Sequence, residues 1–535
     1  MGVVDRLLWA LSLGAGAIVV GGVLLACALR AGGLRWSWAL LGIPVSLLLL
    51  GPRGGLWGAM GCAVCLLAAV LGARRGQTEL AAGADIADGA EARLGVLEVL
   101  RRALESRMEA VVARDAGERG WARLREGWLE IGLGEDGRRR HIPAGGVSGS
   151  HALIVGATGS GKTVSEAWIA GRLIEAGLGA VVLDPKGDAL LEGELRAAAA
   201  RRGAGFLAWT PEGPLAYNPY AHGSHSEIAD RALAGETFTE PHYLRQAQRY
   251  VAQLVGAMQA VGVPLNMVSL AEGMRPRGLE ELARKLPAGH NEQVLIYLDS
   301  LGERQRRELA GVRDRLAILA ESDARPWLEP HPDRPELDLH RAVGERAVVY
   351  FRLDADRWPL LSAQLAQALV IDLVTLVAEL QRRPTPTVVV LDELAAIASA
   401  QVARLFGRAR SAGVSVILAT QELADLRTAA GGGGALREQV LGNVHTILAH
   451  RQNVPESADL LASIAATRQV WVCSQQTRRG LLGQRVGARG SRRREHDYEI
   501  HPTRIKRLST GQALLITPGR DQAPGIVRVH SRRTR

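Results

Sequence analysis

The 535-residue sequence predicts an α/β core with an all-helical insertion, preceded by apolar N-terminal segments. Three observations predict it. An apolar run ending at Val155 passes through a glycine-rich turn into a helical pattern. Two further apolar runs, Ala180 to Leu183 and Thr387 to Leu391, each end in an acid. Between them, from His225 to Ala320, apolar residues such as Tyr250, Val251, Leu254, Val255 and Met258 recur at helical spacing. The length excludes a mini-protein and leaves room for two to four domains.

The N-terminus comes first. Leu7 to Leu29 contains no charged residue and is long enough to cross a bilayer. A shorter apolar stretch, Trp36 to Gly51, is broken by Pro44, and a third, Leu56 to Ala73, ends at Arg74-Arg75. A cleaved signal peptide fits poorly, because further apolar runs follow the first. We expect a membrane anchor of two or three helices over residues 1–76, with Arg74-Arg75 facing the cytoplasm. Three of the four cysteines, Cys27, Cys62 and Cys65, lie in these runs, and no disulfide framework is suggested. A helix over Glu91 to Arg114 and a hairpin over Trp128 to Ile142 are expected to lead into the core.

Gly156-Ala157-Thr158-Gly159-Ser160-Gly161-Lys162-Thr163 then matches the phosphate-loop pattern, in the strand-to-helix context it requires. Its glycines let backbone N–H groups turn around phosphates, and the helix N-terminus adds donors and partial positive charge. Lys162 is expected to reach the β- and γ-phosphates of ATP, and the Thr163 hydroxyl to hold Mg²⁺. Only four of the 65 basic residues are lysine: Lys162, Lys186, Lys285 and Lys506. An arginine-biased chain has kept a compact point charge in this loop. Another follows the strand Ala180 to Leu183, in Asp184-Pro185-Lys186-Gly187-Asp188, and Asp184 is expected at the nucleotide.

The run Thr387 to Leu391 ends in Asp392-Glu393. Alone this is an unspecific signal; downstream of a phosphate loop it suits Asp392 to Mg²⁺ coordination and Glu393 to general-base catalysis. The 229 positions from Thr163 to Asp392 leave room for the insertion. A strand from Val414 to Ala419 leads to Thr420-Gln421, and Gln421 suits γ-phosphate sensing. Arg408 and Arg410 precede it, and either is a solvated residue or an arginine reaching a neighbouring subunit's nucleotide.

With these residues in place, the sequence resembles the type IV coupling proteins of conjugative transfer systems (TraG/TraD-like), in the FtsK/HerA class of RecA-like ATPases. The likeness rests on the apolar N-terminus, the phosphate loop, Asp184-Pro-Lys-Gly-Asp188, Tyr217-Asn218-Pro219, Val390-Leu-Asp-Glu393, Ala419-Thr-Gln421, Arg451-Gln-Asn453 and Gly511 to Gly519, in that order. It implies a RecA-like core and a homo-hexameric ATPase of the bacterial inner membrane. That enzyme would be multi-pass, with its ATPase domain in the cytoplasm. The implied partners are DNA, a relaxase-type protein and secretion-channel proteins. The resemblance also favours Arg410 over Arg408 as the trans-acting arginine. Two other readings stay open: a coupling ATPase that passes proteins through a similar channel, and a non-catalytic nucleotide-binding membrane scaffold.

The expected organisation is an anchor over residues 1–76, a lead-in over 77–150 and the first part of the core over 151–224. The helical insertion follows over 225–325, the second part of the core over 326–475 and a basic segment over 476–535. The net charge of +10 belongs to that last segment. From Arg478 onward there are 15 basic and 4 acidic residues, whereas the preceding 477 hold 50 and 51. Seven arginines interleaved with glycine from Arg478 to Arg494 suit a phosphate backbone or anionic lipid. Leu508-Ser-Thr-Gly-Gln512 resembles the transporter-ATPase signature but follows Asp392, where the signature would precede it, and reads as a turn before a strand.

Overall fold

The computed structural model describes residues 18–29, 39–40, 42–43, 59–71, 127–234, 240–393, 400–428, 435–480, 483–517 and 523–531. The expected helix over Glu91 to Arg114 lies outside them. The chain divides into two compact units, Met1–Gly120 with Val470–Glu495, and Trp121–Gln469 with His496–Arg535.

In the first unit, the described residues Ile18–Leu29 and Ala59–Leu71 form apolar helices. Ala39, Ala68 and Ala69 are buried together against Leu25, Ala26 and Leu29. Among the described residues, the helix long and apolar enough to cross a membrane by composition is Pro359–Leu380. Two thirds of it is buried inside the fold, so it is a core helix of the second unit.

The second unit is built on a sheet of eleven strands in the order β2-β1-β13-β12-β9-β3-β8-β7-β4-β6-β5. These are β1 Trp128–Gly134, β2 Arg139–Pro143, β3 Ala152–Val155, β4 Gly179–Asp184, β5 Phe206–Trp209 and β6 Val348–Arg352. They continue with β7 Thr387–Leu391, β8 Val414–Thr420, β9 Thr446–Ala449, β12 Gln512–Ile516 and β13 Gly525–Val529. From β9 to β5 every pairing is parallel. From β9 outward through β12, β13, β1 and β2 it is antiparallel. The parallel strands are mostly apolar because both faces are covered. Along β3 and β4, Leu153, Val155, Val181 and Leu183 point into one core, and Ala152, Ile154, Ala180 and Val182 into the other. The second core also takes Ile169, Leu173, Leu191 and Leu195 from the helices Lys162–Glu175 and Ala189–Arg202.

Among the described residues between His225 and Ala320 there are six helices and no strand. The insertion is bolted to the core by a buried polar knot. Arg231 is paired with Asp372 at 3.0 Å, and Tyr217 donates to the other Asp372 oxygen at 2.8 Å. Arg231 also donates to the Pro219 and His222 carbonyls, so the Tyr-Asn-Pro motif serves this joint. His340 lies 3.3 Å from Asp372 and 3.2 Å from Glu379, and its ring stacks on His222.

Only the first part of the basic segment, with the residues just before it, folds as a separate hairpin, β10 Thr467–Gly480 and β11 Gly483–Tyr498, whereas its later strands β12 and β13 belong to the main sheet. Among the hairpin's described side chains, the Arg494 guanidinium lies over the half-exposed Trp471 ring at 4.7 Å.

Candidate nucleotide-binding site

The sheet order determines what meets what. β8 lies between β3 and β7, with Val155 beside Thr420 and Leu418 beside Leu391. β7 in turn pairs with β4, Leu391 beside Leu183. The turns that follow β3, β8, β7 and β4 therefore open at one edge of the sheet, the carboxyl ends where parallel sheets take ligands. That edge brings Gly156, Gln421, Asp392-Glu393 and Asp184 together from four distant parts of the chain.

The phosphate loop starts where Gly156 donates to the Thr420 carbonyl at 3.2 Å. A Cβ on Gly156 would stand 2.6 Å from the His450 Cβ, so the first position admits no side chain. Gly159 and Gly161 take φ of 74° and 103°, a region that favours glycine. Ala157 is buried, while Thr158 and Gly159 are exposed. Helix Lys162–Glu175 begins at Gly161 with no side chain capping its N-terminus, leaving first-turn N–H groups to face an anion. The Ser160 hydroxyl is buried without a partner. Thr163 stands half-buried in the first helical turn. These features fit a nucleotide phosphate.

The charged groups converge here. The Lys162 ammonium contacts the buried Asp392 carboxylate. Burial opposes its charge, but the carboxyls of Glu166 and Asp392 prevail and raise its pKa. Asp392 also accepts from the Glu393 N–H at 2.8 Å. Glu393 holds φ of 48°, uncommon for a residue with a side chain, which is backbone strain of the kind found at functional sites. Its carboxylate accepts from the Gln421 amide and pairs with Lys186 at 2.9 Å. Thr158 Oγ1 lies 3.4 Å from the Gln421 oxygen, closing a chain from the loop to Glu393.

Asp184, expected at the nucleotide, lies at this edge and is hydrogen-bonded to its own turn. It is fully buried and accepts from the backbone N–H groups of Lys186, Gly187 and Asp188 at 2.6 to 2.8 Å, and from Tyr350. It shapes the turn that presents Lys186. Lys186, marked in the sequence by its rarity and by its place in the Asp184-Pro-Lys-Gly-Asp188 motif, lies in the site.

Glu166, one turn beyond Lys162, carried no sequence signal. It is fully buried, and neither carboxyl oxygen has a hydrogen-bond partner. Burial, reinforced by Asp392 and opposed by Lys162, pushes its pKa well above the carboxylate range.

Arg410 is not part of this edge. It is exposed at the opposite end of β8, where its guanidinium donates to Ser148 Oγ at 3.3 Å. Seven strand residues at about 3.3 Å each separate that end from Gln421. Arg410 is thus roughly 20 Å from its own phosphate loop, too far to serve it. Arg408 is exposed on the preceding helix, Ala400–Ala409.

Residues 386–510 match a protein family described as "TraM recognition site of TraD and TraG". No curated protein matches the sequence. Among solved structures, the plasmid coupling protein TrwB bound to a non-hydrolysable ATP analogue aligns with a TM-score of 0.54 at 16% identity, covering 72% of this chain and 87% of that one. TrwB with ADP and Mg²⁺ gives 0.53 at 17%, covering 72% and 86%. At such identity the likeness speaks for the fold alone, an α/β core on a large, mostly parallel sheet. The resemblance to type IV coupling proteins, read from the motifs, is borne out in the matched segment and in the fold.

Proposed function

We propose that this chain is a membrane-anchored ATPase that couples DNA, carried with a relaxase-type protein, to a secretion channel. The observation that carries the reading is the single cluster of Lys162, Asp392, Glu393, Gln421 and Lys186 at the edge of the phosphate loop. Gly156 to Gly161 would cradle the phosphates and Lys162 would shift from Asp392 to the β- and γ-oxygens. Thr163 and Asp392 would hold Mg²⁺, which supplies countercharge when bound. Glu393 would then take a proton from the attacking water, with Gln421 fixing its carboxylate. Lys186, on a flexible stem above Glu393, offers a second cation toward the transferring phosphoryl group.

The remoteness of Arg410 from its own loop supports a ring in which it reaches the neighbour's nucleotide, and a homo-hexamer is the assembly we assign. The apolar N-terminal helices support an anchor in the bacterial inner membrane, with the second unit in the cytoplasm. The matched family's description points to a TraM-type relaxosome component as a partner.

The test uses the full chain in detergent. DNA should stimulate ATP hydrolysis, and Glu393→Gln should lower the rate about 10²–10⁴-fold, the usual worth of a general base, with ATP binding kept. Hydrolysis indifferent to DNA, with no DNA retained at low salt, would refute the DNA role.

A further inference from the structure

The turn Leu508 to Gln512, set aside above as a false signature, lies against the phosphate loop of its own chain. Thr510 Oγ1 donates to the Gly159 carbonyl at 3.1 Å. The Gly511 N–H donates to the Ser160 carbonyl at 3.0 Å, from a backbone at φ of 80°. The approach is so close that a Cβ on Gly161 would stand 2.9 Å from the Gly511 nitrogen.

A second tie runs through His450, at the end of β9. It is fully buried, with one ring nitrogen 2.9 Å from Ser165 Oγ on the phosphate-loop helix and the other 2.9 Å from the Gln512 carbonyl. Burial first, with the Lys162 charge adding to it against the Gln512 hydrogen bond, lowers its pKa to about 4, so the ring is neutral. It therefore donates to Gln512 and accepts from Ser165. A third tie is the Ala157 N–H, which donates to the Arg451 carbonyl at 3.0 Å.

In a trans peptide the C=O and N–H of one unit point in opposite directions. Pinning the Ser160 carbonyl onto Gly511 thus turns the Gly161 N–H away from the late turn, toward the hollow of the loop. Pinning the Gly159 carbonyl onto Thr510 does the same for the Ser160 N–H, which closes a turn on the Ala157 carbonyl at 3.1 Å.

We infer that Thr510, Gly511 and His450 are positioning residues that hold the phosphate loop in its anion-binding form. The inference rests on the nucleotide reading of the site. It makes the loop's shape depend on a strand some 350 residues later in the chain. Nucleotide binding and the docking of β12 then favour one another.

Thr510 is exposed, so its replacement spares the core. The experiment compares wild type, Thr510→Val, Thr510→Ser and Lys162→Ala in the full chain. Affinity for ADP with Mg²⁺ is measured by calorimetry, and amide exchange of residues 157–163 is measured without nucleotide. Losing one hydrogen bond should weaken ADP binding about five- to tenfold in Thr510→Val, and Ser should restore it. Phosphate-loop amides should exchange faster in Val than in Ser or wild type. Hydrolysis should show KM raised with kcat within about twofold, the signature of lost ground-state binding. Val that binds and exchanges as wild type does overturns the inference, as does Ser failing as badly as Val. Wild type that binds no ADP, or binds it as well after Lys162→Ala, overturns the nucleotide reading and the inference with it. Faster loop exchange in Val would then mark the tie as purely structural.

Discussion

Glu166→Leu should stabilise the protein, and increasingly so as pH rises. Glu166 is fully buried and neither carboxyl oxygen finds a partner. Leaving such a group unpaired costs about 1–3 kcal/mol, which leucine of similar volume recovers even where the acid is neutral. A further contribution depends on pH. Burial raises the folded-state pKa well above the ordinary value, so the folded chain keeps a proton that the unfolded chain releases. The stability this proton contributes is fully present below the ordinary carboxyl range. It is lost as pH rises toward the folded value, by about 1.4 kcal/mol per pH unit. Leucine has no such loss. The melting temperature of Glu166→Leu should therefore exceed wild type by several degrees at pH 8, at roughly 2 °C per kcal/mol for a unit this large, with a smaller margin at pH 5. Glu166→Gln should remove the same pH slope while keeping the unsatisfied polar group. The assay is thermal unfolding of the detergent-solubilised chain at pH 5, 6.5 and 8. A leucine variant that is less stable at pH 8 than at pH 5, both relative to wild type, would show Glu166 to be charged and paired, and would sink the reasoning.

Other substitutions probe the remaining joints. Gly161→Ala meets both a left-handed φ and the Gly511 backbone at 2.9 Å, so calorimetry should find ADP affinity reduced more than tenfold; Gly159→Ala, strained but in open space, should lose less. Asp372→Asn strands the buried Arg231, and chemical unfolding should lose about 3–5 kcal/mol. His340 sits in the same knot. Burial lowers its pKa, but Asp372 and Glu379 outweigh that and raise it. Its contribution to stability should therefore be full below about pH 6.5 and fade as pH rises through the folded value, and His340→Gln should flatten that part of the profile. Arg410→Ala should slow hydrolysis with ATP affinity unchanged, and mixing it with Glu393→Gln subunits should restore part of the rate if Arg410 acts across a ring.

Local chemistry made some of the site legible. Gly159 and Gly161 need a φ that side chains resist, and Lys162 survives in a chain of arginines, so the loop announces itself. An apolar run that stops at Asp392-Glu393 marks a strand end. The insertion was legible in part, because helical periodicity in Tyr250 to Met258 reports a buried face whatever it packs on. Asp184 shows a physical ambiguity: a strand-end acid can face a ligand or fold back on its own turn. Three backbone N–H groups decide between them, and their direction has no sequence signature. Pro359–Leu380 shows the same ambiguity, since an apolar helix suits lipid and a protein core equally by composition.

By itself, then, the sequence determined the residues whose role is written in their own chemistry. These are the glycines of the loop, Lys162, the paired acids at the end of β7, and the basic excess confined to the last 58 residues. Only the tertiary structure decided which of them meet. Interposing β8 between β3 and β7 puts Gln421 on Glu393, and pairing β4 with β7 carries Lys186 to the same carboxylate. It also decided that Glu166 is sealed from water, that Arg410 faces away, and that the Thr510 turn grips the phosphate loop. Those contacts join residues tens to hundreds of positions apart. They arise because backbone hydrogen bonding sets the strand order, and no local pattern of side chains specifies that order.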